Sequence, residues 1–300
     1  FQKIFITMRI NTYTRSRFNK LCFLMCFPLL LSAQKYSDYI HQRAIELKSK
    51  KVWPPELYNR VKGYNAITIG EMPGTEDVPE FTKGLVSLLI KNDRKVLLCL
   101  ELPEEDNTAL AAAKEAGENN PAKSLPFFNS DIKDSRSSLA MASLIKEFAN
   151  ESSVMIYFFD PGTEVRSRDS VMAENILARM KENKDYLPVI LAGNIHSKLT
   201  KGTIRDTGHK PMAYLLHKIP DSPLKQSNIL ALNFVYRSGT AWNCINDDCG
   251  VHPLKSDESI FSASTDFSNY ILITDNYMAY YGYNGYLYSK NPVASKPFKE

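Results

Sequence analysis

The sequence carries none of the short motifs that mark the common catalytic machineries. Without a G-x-S-x-G elbow, a serine α/β-hydrolase is disfavoured. P-loop and H-E-x-x-H patterns are absent too. The turn GEMPG at 70–74 is not a G-x-G-x-x-G fingerprint, so dinucleotide binding has no support. Internal repeats and low-complexity segments are missing. No apolar run reaches the ~20 residues that a membrane-spanning helix needs.

Cysteine is scarce, with five residues, and no pair has the C-x-x-C spacing typical of structural zinc. Cys99 lies inside an apolar run and reads as a buried free thiol. Cys244 and Cys249 flank the polar loop INDD. A small disulfide is the favoured reading there, and a metal pair is the other.

Acidic residues are missing from the first 33 positions, which hold Lys3, Arg9, Arg15, Arg17 and Lys20. A short apolar run, LCFLMCFPLLL, follows at 21–31, then Ser32 and Ala33. A basic start, a short apolar stretch and a small-residue exit form the pattern of a secretory signal peptide. The expected division is therefore a leader over 1–33, cleaved after Ala33, and one domain over 34–300. A retained N-terminal anchor is the alternative. Bulky Phe23, Leu24 and Met25 before Cys26 argue against a lipoprotein anchor. Five of the 37 basic residues fall in the leader, which leaves 32 against 33 acidic ones. Such a balance offers no basic surface for nucleic acid or an anionic membrane. The expected location is secreted or periplasmic, in the cell envelope, with no membrane span once the leader is removed.

What is present is an alternation of apolar runs and amphipathic stripes. Residues 36–50 read as an amphipathic helix. Residues 66–69 read as a buried strand, followed by a turn holding Gly70, Glu71 and Gly74. The next helix carries the stripe Val78, Phe81, Leu85, Leu88 and Leu89, with Asp77 and Glu80 at capping-box spacing. Further strands are expected over 95–101, 154–159 and 187–192, with helices over 104–117, after Arg136 and after Ser167. Continuous apolar strands alternating with helices predict an α/β fold, mainly a parallel sheet with helices on both faces. Beyond residue 205 the pattern loosens. A short helix over 212–219 and strands over 228–237 and 270–275 predict mixed or antiparallel pairing near the C-terminus. The Tyr-, Asn- and Gly-rich tail over 277–288 reads as edge strand and turns.

Four of the expected strands run into ionisable residues at one end: Glu71, Glu101, Asp160 and His196. If the strands are parallel, these groups share one carboxyl edge, where open α/β sheets bind ligands. Crossover helices start at the same edge and bring Asp134, Arg136, Arg168 and Asp169. Neighbouring carboxylates raise a pKa towards neutrality, a histidine relays protons, and an arginine holds an oxyanion. Glu71, Glu101, His196, Arg168 and Asp169 are thus candidate catalytic residues for water activation. Glu71, Glu101 and His196 are equally candidates for one divalent metal ion.

The runs IGEMPGTEDVP, CLELP, RDSVMAENI and LAGNIHS, in this order, resemble the erythromycin-esterase-like, ChaN and Tiki group of proteins. The likeness spans roughly residues 60 to 240. It implies an α/β fold with its site at the strand ends. Members of that group hydrolyse macrolide lactones, act as metal-dependent proteases or bind haem. The positions carried over are Glu71, Glu101, Arg168, Asp169 and His196. A hydrolase acting on a small molecule is the first expectation. A haem or small-ligand binding protein of the envelope, with His196 as axial ligand, is the second, and an inactive member the third. The pattern departs in one place. Where the group carries a histidine shortly after the first Glu, this chain has Pro73 and Gly74, which can neither act as a base nor ligate a metal.

Overall fold

The computed structural model describes residues 38–131, 134–162, 167–203, 205–246, 248–255, 266–278 and 282–299. The leader expected over 1–33 lies outside them. In chain order come β1 (Ile45–Glu46), β2 (Ala66–Glu71), α1 (Asp77–Ile90), β3 (Lys95–Pro103) and α2 (Asn107–Glu115). Then follow α3 (Leu139–Phe148), β4 (Val154–Asp160), α4 (Arg168–Glu182) and β5 (Tyr186–Gly193). The C-terminal part holds α5 (Met212–Leu216), β6 (Ile229–Tyr236), β7 (Ser238–Ile245), β8 (Asp248–Lys255), β9 (Asn269–Met278) and β10 (Tyr283–Ser289).

Eight strands form one sheet in the order β1-β9-β10-β6-β2-β5-β3-β4. From β10 through β6, β2, β5, β3 and β4 every neighbour is parallel. β9 runs antiparallel to both β10 and β1. The expected mainly parallel sheet with antiparallel strands near the C-terminus is what forms.

Strand alternation divides the core into two layers. Ile67, Ile69, Leu98, Leu100, Val189 and Leu191 pack on one face against Phe81 and Leu85 of α1 and Leu144 and Ile145 of α3. Leu97, Cys99, Ile190 and Ala192 pack on the other against Met172 and Ile176 of α4 and Met212 of α5. Each of these large side chains, fully removed from water, contributes about 1.5–3 kcal/mol. The stripe that predicted α1 is the face that this helix buries, and Met141, Leu144, Ile145 and Phe148 of α3 and Met172, Ile176 and Leu177 of α4 are buried likewise.

Several expectations need correction. The helix expected over 36–50 is confined, in the described residues, to 38–43, and β1 follows it. Asp77 and Glu80 do not form a capping box. Asp77 is fully buried, pairs with Lys50 at 2.5 Å and accepts the Val293 amide at 2.9 Å. Ser167 precedes α4 in a left-handed conformation without capping it through its side chain. The tail is no edge. β10 lies between β9 and β6, with Tyr286 and Tyr288 buried. Its polar residues serve the interior: Asn284 donates to the Ile229 carbonyl and accepts the Ala231 amide, continuing the pairing with β6. Gly285 leaves room for Leu232, which would lie 2.5 Å from any Cβ there.

The β7–β8 hairpin is a separate antiparallel pair that the sequence reading missed. Cys244 and Cys249 face each other across it and are joined as the expected disulfide, and Cys99 is a buried free cysteine. Among the described residues, no helix is long and apolar enough to cross a membrane.

Candidate active site at the strand ends

Parallel pairing brings the ends of β2, β5, β3 and β4 side by side, so Glu71, Gly193, Glu101 and Asp160 share one carboxyl edge. Glu71 is the last residue of β2, not a residue of the following turn. The turn after β5 carries His196, whose amide donates to the Gly193 carbonyl.

The centre of the site is an ion network. Arg168, at the first position of α4, donates from Nε to Asp160 Oδ1 at 2.7 Å. Its Nη2 reaches Glu101 Oε1 and Asp160 Oδ2, both at 2.6 Å. Arg136, from the segment before α3, donates from Nη1 to Asp160 Oδ2 at 2.7 Å and to the Glu101 carbonyl at 2.9 Å. Its Nε and Nη2 grip Asp134, the shortest contact being 2.7 Å. Glu101 Oε2 accepts the Gly193 amide at 2.7 Å, which ties β3 to β5. Ser138, two residues after Arg136, caps α3 through the Met141 amide and so fixes where the helix begins.

These partners set the charge states. Burial would raise the Asp160 carboxyl, but hydrogen bonds and charges from Arg168 and Arg136 outweigh it and hold the group well below the ordinary range. Asp134 is lowered for the same reason, with Arg136 as its partner. Both arginines are raised despite burial, so they stay charged.

Glu71 is the exception. It is 4% exposed, and no described residue hydrogen-bonds its carboxyl group. Burial first, and the charge of Glu101 second, push it up to about 8, against the pull of Arg136. A buried carboxylic acid that keeps its proton near neutrality can donate it or act as a base as pH rises.

His196 adds a second proton-handling group. Its Nδ1 lies 2.8 Å from Asp169 Oδ1, and that oxygen also accepts the Met212 amide at 2.6 Å. Its Nε2 faces Arg168 Nη1 at 3.4 Å and Glu101 Oε1 at 3.8 Å. Arginine can only donate, so in this geometry Nε2 presents its lone pair and Nδ1 carries the hydrogen towards Asp169. Burial lowers the imidazole pKa, but the Asp169 hydrogen bond and the charges of Glu101 and Asp169 win, and the net shift is upward.

The structure thus brings Glu101, Arg168, Asp169 and His196 into one connected set. Glu71 stands beside it, coupled by charge alone. Asp160, Asp134 and Arg136 complete the network. All three were visible at the expected edge, but their pairing was not. Arg168 is not free to anchor a substrate anion, because its guanidinium is held by Asp160 and Glu101.

Among the described residues no three His, Cys, Asp or Glu groups could hold a metal ion. The donors expected to do so are committed elsewhere. Glu101 is bound by Arg168 and Gly193, and His196 Nε2 lies against a guanidinium that would repel a divalent cation. The same contact crowds the nitrogen that an axial haem ligand must present. The residues present therefore fit neither group.

The departure at Gly74 has a structural cause. Gly74 has φ +83°, and a Cβ there would lie 1.9 Å from the Trp242 carbonyl oxygen. Its own carbonyl accepts the amides of Trp242 and Ser295, both at 2.9 Å. Backbone of β7 fills the space that a side chain at 74 would need.

No family model and no curated protein matches the sequence. Solved structures do match. A succinoglycan biosynthesis protein aligns with a TM-score of 0.65 at 9% identity, covering 88% of this chain and 98% of its own. A Bacillus cereus protein aligns at 0.62 and 12% identity, covering 88% and 99%. The chain shares their fold. Identities this low carry architecture and not activity. An erythromycin esterase in its open conformation and ChaN of Campylobacter jejuni with cofacial haem are also among the matches, at TM-scores of 0.48 and 0.39.

Proposed function

We propose that this protein is an exported hydrolase of an uncharged carbonyl compound, an ester or a lactone, that works without a covalent intermediate. The observation that carries the reading is Glu71: a buried carboxyl group that no described residue hydrogen-bonds, pushed up to about 8, at the ligand-binding edge of a parallel sheet. A water molecule takes the place of Arg168 Nη1 at His196 Nε2, and His196, held by Asp169, takes its proton there as the water oxygen adds to the carbonyl carbon. Protonated Glu71 gives its proton to the leaving alkoxide as the C–O bond breaks. The products are a carboxylic acid and an alcohol, and a second proton exchange with solvent resets both groups.

The charge balance supports an uncharged substrate. Among the described residues, Glu101, Asp134, Asp160 and Asp169 outnumber the two guanidinium groups, and Arg136 is held by Glu101, Asp134 and Asp160. Among the described residues of the site, a substrate carboxylate would meet net negative charge, with both guanidinium groups already held by carboxylates. Export is supported by the leader pattern and by the Cys244–Cys249 disulfide, a bond typical of oxidising compartments.

The test is a panel of neutral, anionic and cationic aryl esters and macrocyclic lactones, run with the wild type and Glu71→Gln. Turnover of neutral members, lost by about 10²-fold or more in Glu71→Gln with the fold intact, is expected. The rate should follow a bell: rising as His196 loses its proton, and falling as Glu71 ionises near pH 8. Equal rates in both proteins would overturn the reading.

A further inference from the structure

Asp169 has two oxygens, and the site described above uses one. Oδ1 takes His196 Nδ1 and the Met212 amide. Oδ2 lies 3.8 Å from Nε2 of a second histidine, His209. That nitrogen is shielded from solvent and has no hydrogen-bond partner among the described residues. A ring nitrogen screened from water and left unpaired is destabilising, so a partner within reach is favoured. A shift of under ~1 Å would bring it to hydrogen-bonding distance of Oδ2. The backbone around it is tethered. The His209 carbonyl accepts the Gly202 amide at 2.8 Å, and the Ala213 amide donates to the His196 carbonyl at 2.9 Å. The segment that carries His209 is therefore stitched to the turn that carries His196.

We propose that His209 is a positioning residue for His196: its Nε2–H closes on Asp169 Oδ2, so that each carboxylate oxygen is held by one histidine. Asp169 then cannot rotate Oδ1 away from His196, and the imidazole keeps its hydrogen on Nδ1 and its lone pair on Nε2. The charged groups facing His196 are Glu101 from β3 and Arg168 and Asp169 from α4. His209 acts only through Asp169. Its kinetic consequence rests on the hydrolase reading, but its structural consequence does not.

The experiment is a ¹⁵N NMR titration of the histidine rings in the full chain, for wild type, His209→Ala and His209→Gln. In His209→Ala the Nδ1–H tautomer of His196 should lose population, and its midpoint should fall by about half a pH unit or more as the Asp169 bond loosens. His209→Gln, whose amide N–H can reach the same oxygen, should restore both. Should the alanine variant fail to fold, His209→Leu fills the volume without a donor. An unchanged tautomer and midpoint, or a midpoint that rises, overturns the proposal. On a substrate found by the ester panel, His209→Ala should lower kcat about tenfold with KM unchanged. If the wild type turns nothing over, the hydrolase reading fails while the NMR comparison still decides the role of His209.

Discussion

Glu71 and Asp160 end two strands of the same sheet and are about equally buried, at 4% and 2% exposure. Their charge states are nevertheless opposite. Asp160 accepts four hydrogen bonds, two from Arg168, one from Arg136 and one from the Gly162 amide. Glu71 accepts none from a described residue and feels the negative charge of Glu101. The difference teaches that burial alone does not set a carboxylate's behaviour at this edge. The number of donors aimed at it does. The Asp160 flank is an ionic brace, whereas the Glu71 flank holds an acid that no described residue hydrogen-bonds. That division of labour suits a site in which one side fixes geometry and the other moves a proton.

The comparison can be broken most severely on the braced side. Asp160→Ala strips both arginines of a shared buried partner and should cost about 3–5 kcal/mol, read from the urea midpoint. The sign of the pH effect follows from its lowered pKa. Its stabilisation is fully present above the unfolded value near 4 and is lost as pH falls below it. Asp160→Asn should flatten that acid branch of the stability curve.

On the other flank the effect reverses. Glu71 is raised to about 8, so its favourable contribution is complete below the unfolded value near 4.5 and fades as pH climbs through 8. Glu71→Gln removes an ionisation that opposes folding. It should raise stability at pH 8 by about 2 kcal/mol or more while abolishing turnover, as urea melts at pH 5 and pH 8 would show. A loss of stability at pH 8 would mean that Glu71 has a partner and is braced like Asp160.

Smaller effects are expected where the hairpin meets the Glu71 flank. Gly74→Ala forces a Cβ into the Trp242 backbone at positive φ and should cost more than about 1 kcal/mol. Its melting temperature is the readout. Replacing Cys244 and Cys249 together by serine should cost about 2 kcal/mol, at the low end for a disulfide because the loop they close is short. Amide exchange should quicken in β7 and β8 and stay unchanged in the core strands.

Much of this edge was legible beforehand. The apolar runs of β2, β3, β4 and β5 are long enough to mark strands buried on both faces, and helix stripes between them imply parallel crossovers. Once the strands are parallel, Glu71, Glu101, Asp160 and the His196 turn must share an edge. What could not be read was which acid meets which base. Arg136 lies 35 residues from Glu101 and 24 from Asp160, and no local pattern distinguishes their pairing from an exposed arginine. His209 escaped notice because it sits in a polar segment with no periodicity, and only the fold carries it to Asp169. The hairpin was missed for a similar reason: few apolar residues alternate along β7 and β8, so its clearest sign was the pair of cysteines at its tip.

The elements, their parallel arrangement and the edge at which chemistry gathers were readable from local pattern, because hydrophobic periodicity is a property that each segment must satisfy alone. Tertiary structure decided the rest. It inserted the tyrosine-rich tail into the sheet and filled the space at Gly74 with backbone. It bound both arginines to carboxylates and gave Glu71 no hydrogen-bond partner among the described residues. Those outcomes depend on distances between side chains far apart in the chain. The pKa of a buried acid follows from that company and from the water it has lost.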